Sequence, residues 1–418
     1  MSISKPEPVA HPTRRQLLLG ATAFGAGSLL AACGGGGGGG GAEVAGPTAP
    51  TGGGTSTASF AEGPITGFGS IIVGGVRYDD SAASVADDDG NAGTSSQLKL
   101  GAVVEIEGGK VDRPTNALGK AVALKVVLRS SLQGVVNAVD TTNSTLTLLG
   151  QKVVVTSSTV FDDSITGGLA GIAVGNVLEV HALYDAVAVQ FVATRIEKKT
   201  SVAEYRLRGV IGSLDTTAKT FKIGSETINY GSAPPLATPS ALVNGAFVRV
   251  RLQTAQVAGA WVATRLAIGL RSLAPKGEAE VEGVITSFTS LAAFEVNGLK
   301  VSTSGSTLFP DGTAGIAVGA RVEVKGDVVD GVLVAKSVEL EDERPSKPRE
   351  YELHGTISNL DTAAKTFALR GLTIWYGGPA VQFSNGTAAT LANGKAVETK
   401  GVLAADRLRI EARRIEFK

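Results

Sequence analysis

One eight-residue pattern occurs five times, and a chain that repeats itself this way has to fold as copies of one unit. The pattern reads GAVVEIEG from Gly101, GNVLEVHA from Gly175, GAFVRVRL from Gly245, GARVEVKG from Gly319 and GKAVETKG from Gly394. Successive copies start about 70–75 residues apart, too far for most solenoid repeats but suited to a small domain. A second marker follows each copy: an alanine, two mostly polar residues and an aliphatic. It falls at Ala123–Val126, Ala193–Ile196, Ala263–Leu266, Ala335–Val338 and Ala412–Ile415.

The copies pair off. "EYRLRGVIGSLDTTAKTF" from Glu204 matches "EYELHGTISNLDTAAKTF" from Glu350, and "GIAVG" occurs at Gly171 and Gly315. A block of two units has therefore been duplicated. The repeats are bounded at 61–129, 130–199, 200–273, 274–344 and 345–418. The charged, proline-bearing stretch Glu341–Glu350 links the last two.

Each repeat reads as β-structure. In the last copy Arg407–Ala412 alternates strictly, the mark of a half-buried strand. The alternation slips at Arg413-Arg414 and resumes at Ile415, which predicts a β-bulge. Thr366–Leu369 and Leu372–Tyr376 predict a hairpin about Arg370-Gly371. Five strands in about 65 residues close most economically into a small barrel of the OB type. A unit of that size is marginal by itself, so neighbouring copies are expected to lean on one another. The fold class is all-β: a tandem array of five OB-like, five-stranded barrels.

The segment before the repeats reads as an address. Arg14-Arg15 precede an apolar stretch, Leu17–Ala32, ending Leu30-Ala31-Ala32-Cys33. A charged start, a short apolar run and small residues before a cut are the marks of a signal peptide, assigned to 1–32. A disordered glycine-rich linker, 33–60, follows, with a root-mean-square reach of about 5–6 Å × √n. Leu30-Ala31-Ala32-Cys33 resembles the lipobox of bacterial lipoproteins, which implies cleavage between Ala32 and Cys33 and lipid on the Cys33 sulfur. Two or three acyl chains, at about 0.8 kcal/mol per buried CH₂, hold a protein at a membrane. Arg14-Arg15 resembles the twin-arginine export signal. Gly34 in place of an aspartate implies, by the same resemblance, the outer membrane.

The repeated G-x-I…D…F…G…G-x-x-V-E-V-x-G…A-x-x-I pattern resembles the bacterial secreted repeats numbered 5666 among domains of unknown function. The resemblance spans about 63–418 and implies a β-barrel in the cell envelope, with no known catalytic residues.

The chain offers little else for chemistry. Its 39 basic and 39 acidic residues leave no basic footprint for nucleic acid, and one cysteine excludes a disulfide framework. No cofactor motif is present. His181 and His354 sit at strand positions that are polar in the other copies, which reads as solvent-facing. The strand pairs Arg249/Arg251, Glu323/Lys325 and Glu398/Lys400 read as charge ladders for solubility and edge protection. Asp87, Asp89 and Asn91 form the sharpest acidic cluster and are weak candidates for a calcium ion, since hard cations want several oxygens. Trp261, Trp375 and Tyr376, with Tyr205 and Tyr351, are candidate ligand-facing aromatics. The expectation is a non-enzymatic, membrane-anchored binding or spacer module whose partner is an envelope protein or a glycan. Its rivals are an oligosaccharide-binding module using Trp261 and Trp375, and an enzyme with a site between repeats.

Overall fold

The computed structural model describes residues 58–115, 117–234, 236, 239–268, 273–341 and 348–418. Repeat 2 shows the plan. Its strands are Leu132–Asp140, Thr145–Leu148, Gln151–Phe161, Val177–Asp185 and Gln190–Lys199. The first pairs antiparallel with the second, the second with the third, the third runs parallel to the fifth, and the fourth closes onto both fifth and first. The ring order is thus 1-2-3-5-4-1, a closed Greek-key barrel of the OB type. Repeats 3 and 4 have the same ring. Repeats 1 and 5 keep it with their first and third strands each broken in two. The all-β barrel expectation holds.

Both sequence markers have one geometric job in all five copies. The marker glycines Gly101, Gly175, Gly245, Gly319 and Gly394 have φ of 79°, 85°, 86°, 87° and 86°. That left-handed backbone is open to glycine at little cost. Each glycine N–H donates to a carbonyl of the first strand or just past it: Ile65, Val136, Ile211, Ile285 and Ile357. The same five residues donate back to the carbonyl after the glycine. This reciprocal clamp fixes where the fourth strand begins. The second marker is a bulge. Lys400 faces Arg414 while Gly401 faces Ala412, so Arg413 is the extra residue. The same one-residue slip leaves Leu124, Thr194, Thr264 and Lys336 unpaired in the other repeats. The hairpin in repeat 5 turns through Arg370 and Gly371, both at positive φ (53° and 82°), as a type I′ turn requires.

Each barrel has an aromatic plug: Tyr78, Phe191, Phe221, Phe294 and Phe367 are all buried. The barrels belong to one compact unit, and repeat 1 is its hub. Its first strand, Ser59–Pro64, runs parallel to the first strand of repeat 4, Lys276–Ser290, with Ser59 opposite Glu278. Gly67–Phe68 pairs with Glu350–Thr356 of repeat 5. The Val103 N–H donates to Nδ1 of His181 in repeat 2 at 3.3 Å. Val103, Leu183 and Val284 form a small apolar cluster where repeats 1, 2 and 4 meet.

This packing corrects one expectation. The polar positions on the first, fourth and fifth strands do not all face water. Glu105, Gln133, His181, Arg195, Arg208, Glu280, Glu282 and Glu352 are all buried. Alternation sends the apolar half of each strand into its own barrel and the polar half outward. The outward faces then pack against other barrels, so the ladders become ion-paired seams.

Candidate functional site

The sharpest of these seams takes in the acidic cluster of repeat 1. Asp87 ends a third-strand segment, Ser84–Asp87, and with Asp88 and Asp89 just after it reaches the outer face of repeat 3. Asp87 meets Arg251 at 2.8 Å, Asp88 meets Arg249 at 2.7 Å and also Arg208, and Asp89 meets Arg251. Burial opposes ionisation of Asp87, but hydrogen bonds from Asn91, Arg251 and the Asp89 N–H outweigh it and hold the carboxyl down at about 2. The three carboxylates are close enough to share an ion. Arginines already fill that place, and Asn91 donates to Asp87 rather than standing as a ligand. Asp87, Asp88 and Asp89 thus act as an electrostatic latch between repeats 1 and 3.

A second cluster escaped sequence reasoning because its members lie in two strands and were judged one at a time. Glu352, His354 and Glu398 present ligand atoms within 4.8 Å of one another. Here too cations are in place. Arg77 of repeat 1 pairs with Glu352 and lies 2.8 Å from His354 Nε2. Lys400 reaches Glu352 at 2.9 Å and Lys418 reaches Glu398 at 2.7 Å. Against the cost of burial, the hydrogen bonds from His354 and Lys400 and the charges of Lys400 and Arg77 hold Glu352 at about 2.

The aromatic candidates are structural. Trp261 is buried, stacks edge-on against Tyr205 at 5.6 Å and donates its indole N–H to Glu226 at 2.6 Å. Tyr376 is buried against Phe367. The Tyr351 hydroxyl donates across a repeat boundary to the Ser158 carbonyl at 3.0 Å. Trp375 is half-buried, with the Arg409 guanidinium over its ring at 5.4 Å. Burial corrects the ligand-facing reading of Trp261 and Tyr376, while Trp375 keeps a partly exposed ring. Cys33, Arg14, Arg15 and Ala32 lie outside the described residues.

What the junction of the barrels does create is a cleft. It has a volume of about 640 Å³ and is walled by repeats 1, 2, 3 and 4. Ligand sites commonly fall between about 300 and 1,000 Å³, mostly apolar with a few convergent polar groups. The apolar wall carries Val103, Leu183, Tyr184, Phe191, Val210, Phe247 and Ile268. Tyr184 lies 4.9 Å from Phe191 and, across the boundary of repeats 2 and 3, 5.3 Å from Phe247. Glu62, Arg129, Arg208, Glu295 and Asn297 supply the polar groups. A smaller cavity of about 320 Å³ shares Glu62, Arg129, Arg208, Phe247, Ile268 and Asn297 and continues toward the Asp88 latch. Burial pulls Arg208 down to about 9 against the pull of Asp88, which leaves it a cation at neutral pH. Sequence gave no sign of this cleft, because its walls come from four separate copies.

Two further carboxyls have shifted acidities, away from the cleft lining. Burial and the neighbouring Glu280 carboxylate push Glu323 up to about 8, and burial raises Glu280 as well. Lys325 sits 2.5 Å from Glu280 and 3.2 Å from Glu323. Glu282 is the opposite case: against the cost of burial, Arg349 and Arg321 hold it at about 2.

Compared with known proteins, residues 62–113, 133–197, 282–339 and 354–416 match the family model described as a domain of unknown function, DUF5666. The matched segments cover more than half of the chain. No curated protein matches.

Proposed function

The chain belongs to the DUF5666 family, and from that premise we infer that it is a non-enzymatic binding protein of the bacterial envelope. Lipid on Cys33 would hold it at the outer membrane, and the cleft between repeats 1 to 4 would seat its ligand. The observation that carries this reading is the cleft wall, where the half-buried rings of Tyr184 and Phe247 meet beside Arg129 and Arg208. A spacer needs only barrels that close, and it has no use for an apolar hollow of ligand size. An enzyme needs reactive groups aimed into the hollow, but the shifted carboxyls Glu280 and Glu323 are instead paired with Lys325 in a seam. A glycan site on Trp261 and Trp375 would have to use one buried indole and one with the Arg409 guanidinium over its ring. The twin-arginine pair fits a body whose seams join residues far apart in sequence, because that export route carries folded proteins.

Two measurements test the reading. Cell fractionation should find the wild type in membranes and Cys33→Ala outside them; a variant still in membranes overturns the anchor. Native mass spectrometry of the protein taken from its own membranes should show a retained small molecule, lost when Val210→Trp fills the cleft. The same bare-chain mass in both overturns the binding role.

A further inference from the structure

We propose that the cleft takes an organic cation, an ammonium group carried on an apolar body; this rests on the cleft being a binding site. The first argument is the charge left over in its lining. Four charged residues line the cleft: Arg129, Arg208, Glu62 and Glu295. The two cations are already answered, Arg129 by Glu105 and Arg208 by Asp88. The two anions are not. Both are half-buried, and among the described residues neither makes an ion pair. Lys300 stands opposite Glu295 in the hairpin, but it is exposed and forms no ion pair with it. Glu62 has only an amide for company: it accepts a hydrogen bond from Asn297 Nδ2 at 3.0 Å. It also lies directly opposite Glu105 in the antiparallel pairing of repeat 1, and like charges so placed repel.

The second argument is placement. Asn297 brings repeat 4 to Glu62, and Glu295 lies two residues before Asn297, with all three lining the cleft. The two carboxylates are thus held on either side of one amide. The rings of Tyr184 and Phe247 line the same cleft and meet at 5.3 Å with their planes tilted by 50°. An aromatic face attracts a cation that lies within about 6 Å of its centroid. An ammonium entering here gains carboxylates that no other cation holds. An anion would have to take an arginine from Glu105 or Asp88, and breaking a buried pair is costly. A neutral molecule would leave both carboxylates without a counter-charge in a space it had emptied of water, and that also costs.

The test uses the full chain with Cys33→Ser, kept free of detergent, and calorimetric titration with octylammonium, octanol and octanoate as monomers. The three probes have the same number of carbons and differ in the charge of the head. The expected result is one saturable site for octylammonium, at least about tenfold tighter than for octanol, with octanoate weakest. Glu62→Gln and, separately, Glu295→Gln should each weaken octylammonium by about threefold or more and leave octanol within about twofold. Octanol or octanoate binding as tightly as octylammonium overturns the cation and leaves the cleft as a site for another ligand. So does octylammonium binding that neither glutamine variant changes but that the cleft-filling Val210→Trp and Ala246→Trp abolish. Absent binding of all three probes, or binding indifferent to both filling variants, overturns the cleft itself. If one glutamine variant fails to fold, the other decides, since Glu62 lies in repeat 1 and Glu295 in repeat 4.

Discussion

At the scale of single residues, the buried charges decide how the protein responds to pH. Glu282 is held at about 2 by Arg349 and Arg321, below the usual carboxylate value. A depressed carboxyl contributes stability that is complete above its unfolded pKa and is lost as pH falls through its folded one. The Glu282 contribution therefore disappears between about pH 4.5 and 2, together with those of Asp87 and Glu352. Glu323 has the opposite sign. It is raised to about 8, so the folded state binds its proton more tightly than the unfolded state. Its stabilisation is complete below about pH 4.5 and is lost as pH rises toward 8. Thermal melts should show Glu323→Gln matching wild type near pH 5 and exceeding it at pH 9. A variant that melts equally above and below that window relative to wild type would show that Glu323 ionises normally. Removing Arg349 leaves Glu282 buried beside one arginine instead of two. Breaking a buried pair costs about 3–5 kcal/mol, and Arg349→Met should lose an amount approaching that in denaturant titrations at pH 7. Adding Glu282→Leu should deepen the loss and not recover it, because Arg321 then loses the Glu282 carboxylate as well.

At the scale of elements, the repeat is built around two backbone devices. The marker glycine clamps the fourth strand to the first, and the marker alanine precedes a bulge in the fifth. These predict different costs for the same substitution. Around Gly394 a Cβ meets nothing within 4 Å, but φ is +86°, so Gly394→Ala should cost about 1–2 kcal/mol, from backbone conformation alone. At Gly326 a Cβ would stand 2.1 Å from the Val334 carbonyl oxygen, across the bulge in repeat 4. Gly326→Ala must push the fourth and fifth strands apart and should destabilise more than Gly394→Ala in parallel denaturant titrations. Equal losses would mean that the bulge relaxes freely. The devices were legible because each is local: the glycine, the alternation and the slip at Arg413-Arg414 all lie within a few residues. The hairpin at Arg370-Gly371 was legible for the same reason. The seams were not. Period-two alternation separates the two faces of a strand but does not say what covers the outer one. His181 and Arg208 thus look like surface residues until Val103 and Asp88 of repeat 1 are brought against them. The triad Glu352, His354 and Glu398 stayed hidden because pairing, not spacing, joins its two strands.

At the scale of the whole molecule, repeat 1 turns five marginal barrels into one body. It meets repeat 4 through a parallel ladder, repeat 5 through Gly67 and Arg77, repeat 2 through Val103 and repeat 3 through the aspartate latch. Repeats that touch only their sequence neighbours can unfold piecewise. Here the contacts run between repeats distant in the chain, and removing any one barrel exposes charged faces that another was neutralising. One cooperative transition is therefore expected, although chains of this size often unfold in stages. The two tryptophans are well placed to check it, since Trp261 lies in repeat 3 and Trp375 in repeat 5. With Trp375→Phe only repeat 3 reports by fluorescence, and with Trp261→Phe only repeat 5 does. In guanidinium, each single-tryptophan protein should give a fluorescence transition that coincides with its own circular-dichroism transition. A fluorescence midpoint displaced from the circular-dichroism midpoint would show that its repeat unfolds apart from the rest. Asp88→Ala, introduced into the Trp261-only background, sharpens the test. It removes the carboxylate shared by Arg208 and Arg249, so repeat 3 should become the first to unfold and its fluorescence transition should move to lower denaturant than the circular-dichroism transition. A transition that stays coincident at an unchanged midpoint would mean that the latch contributes nothing to holding repeat 3 on the hub.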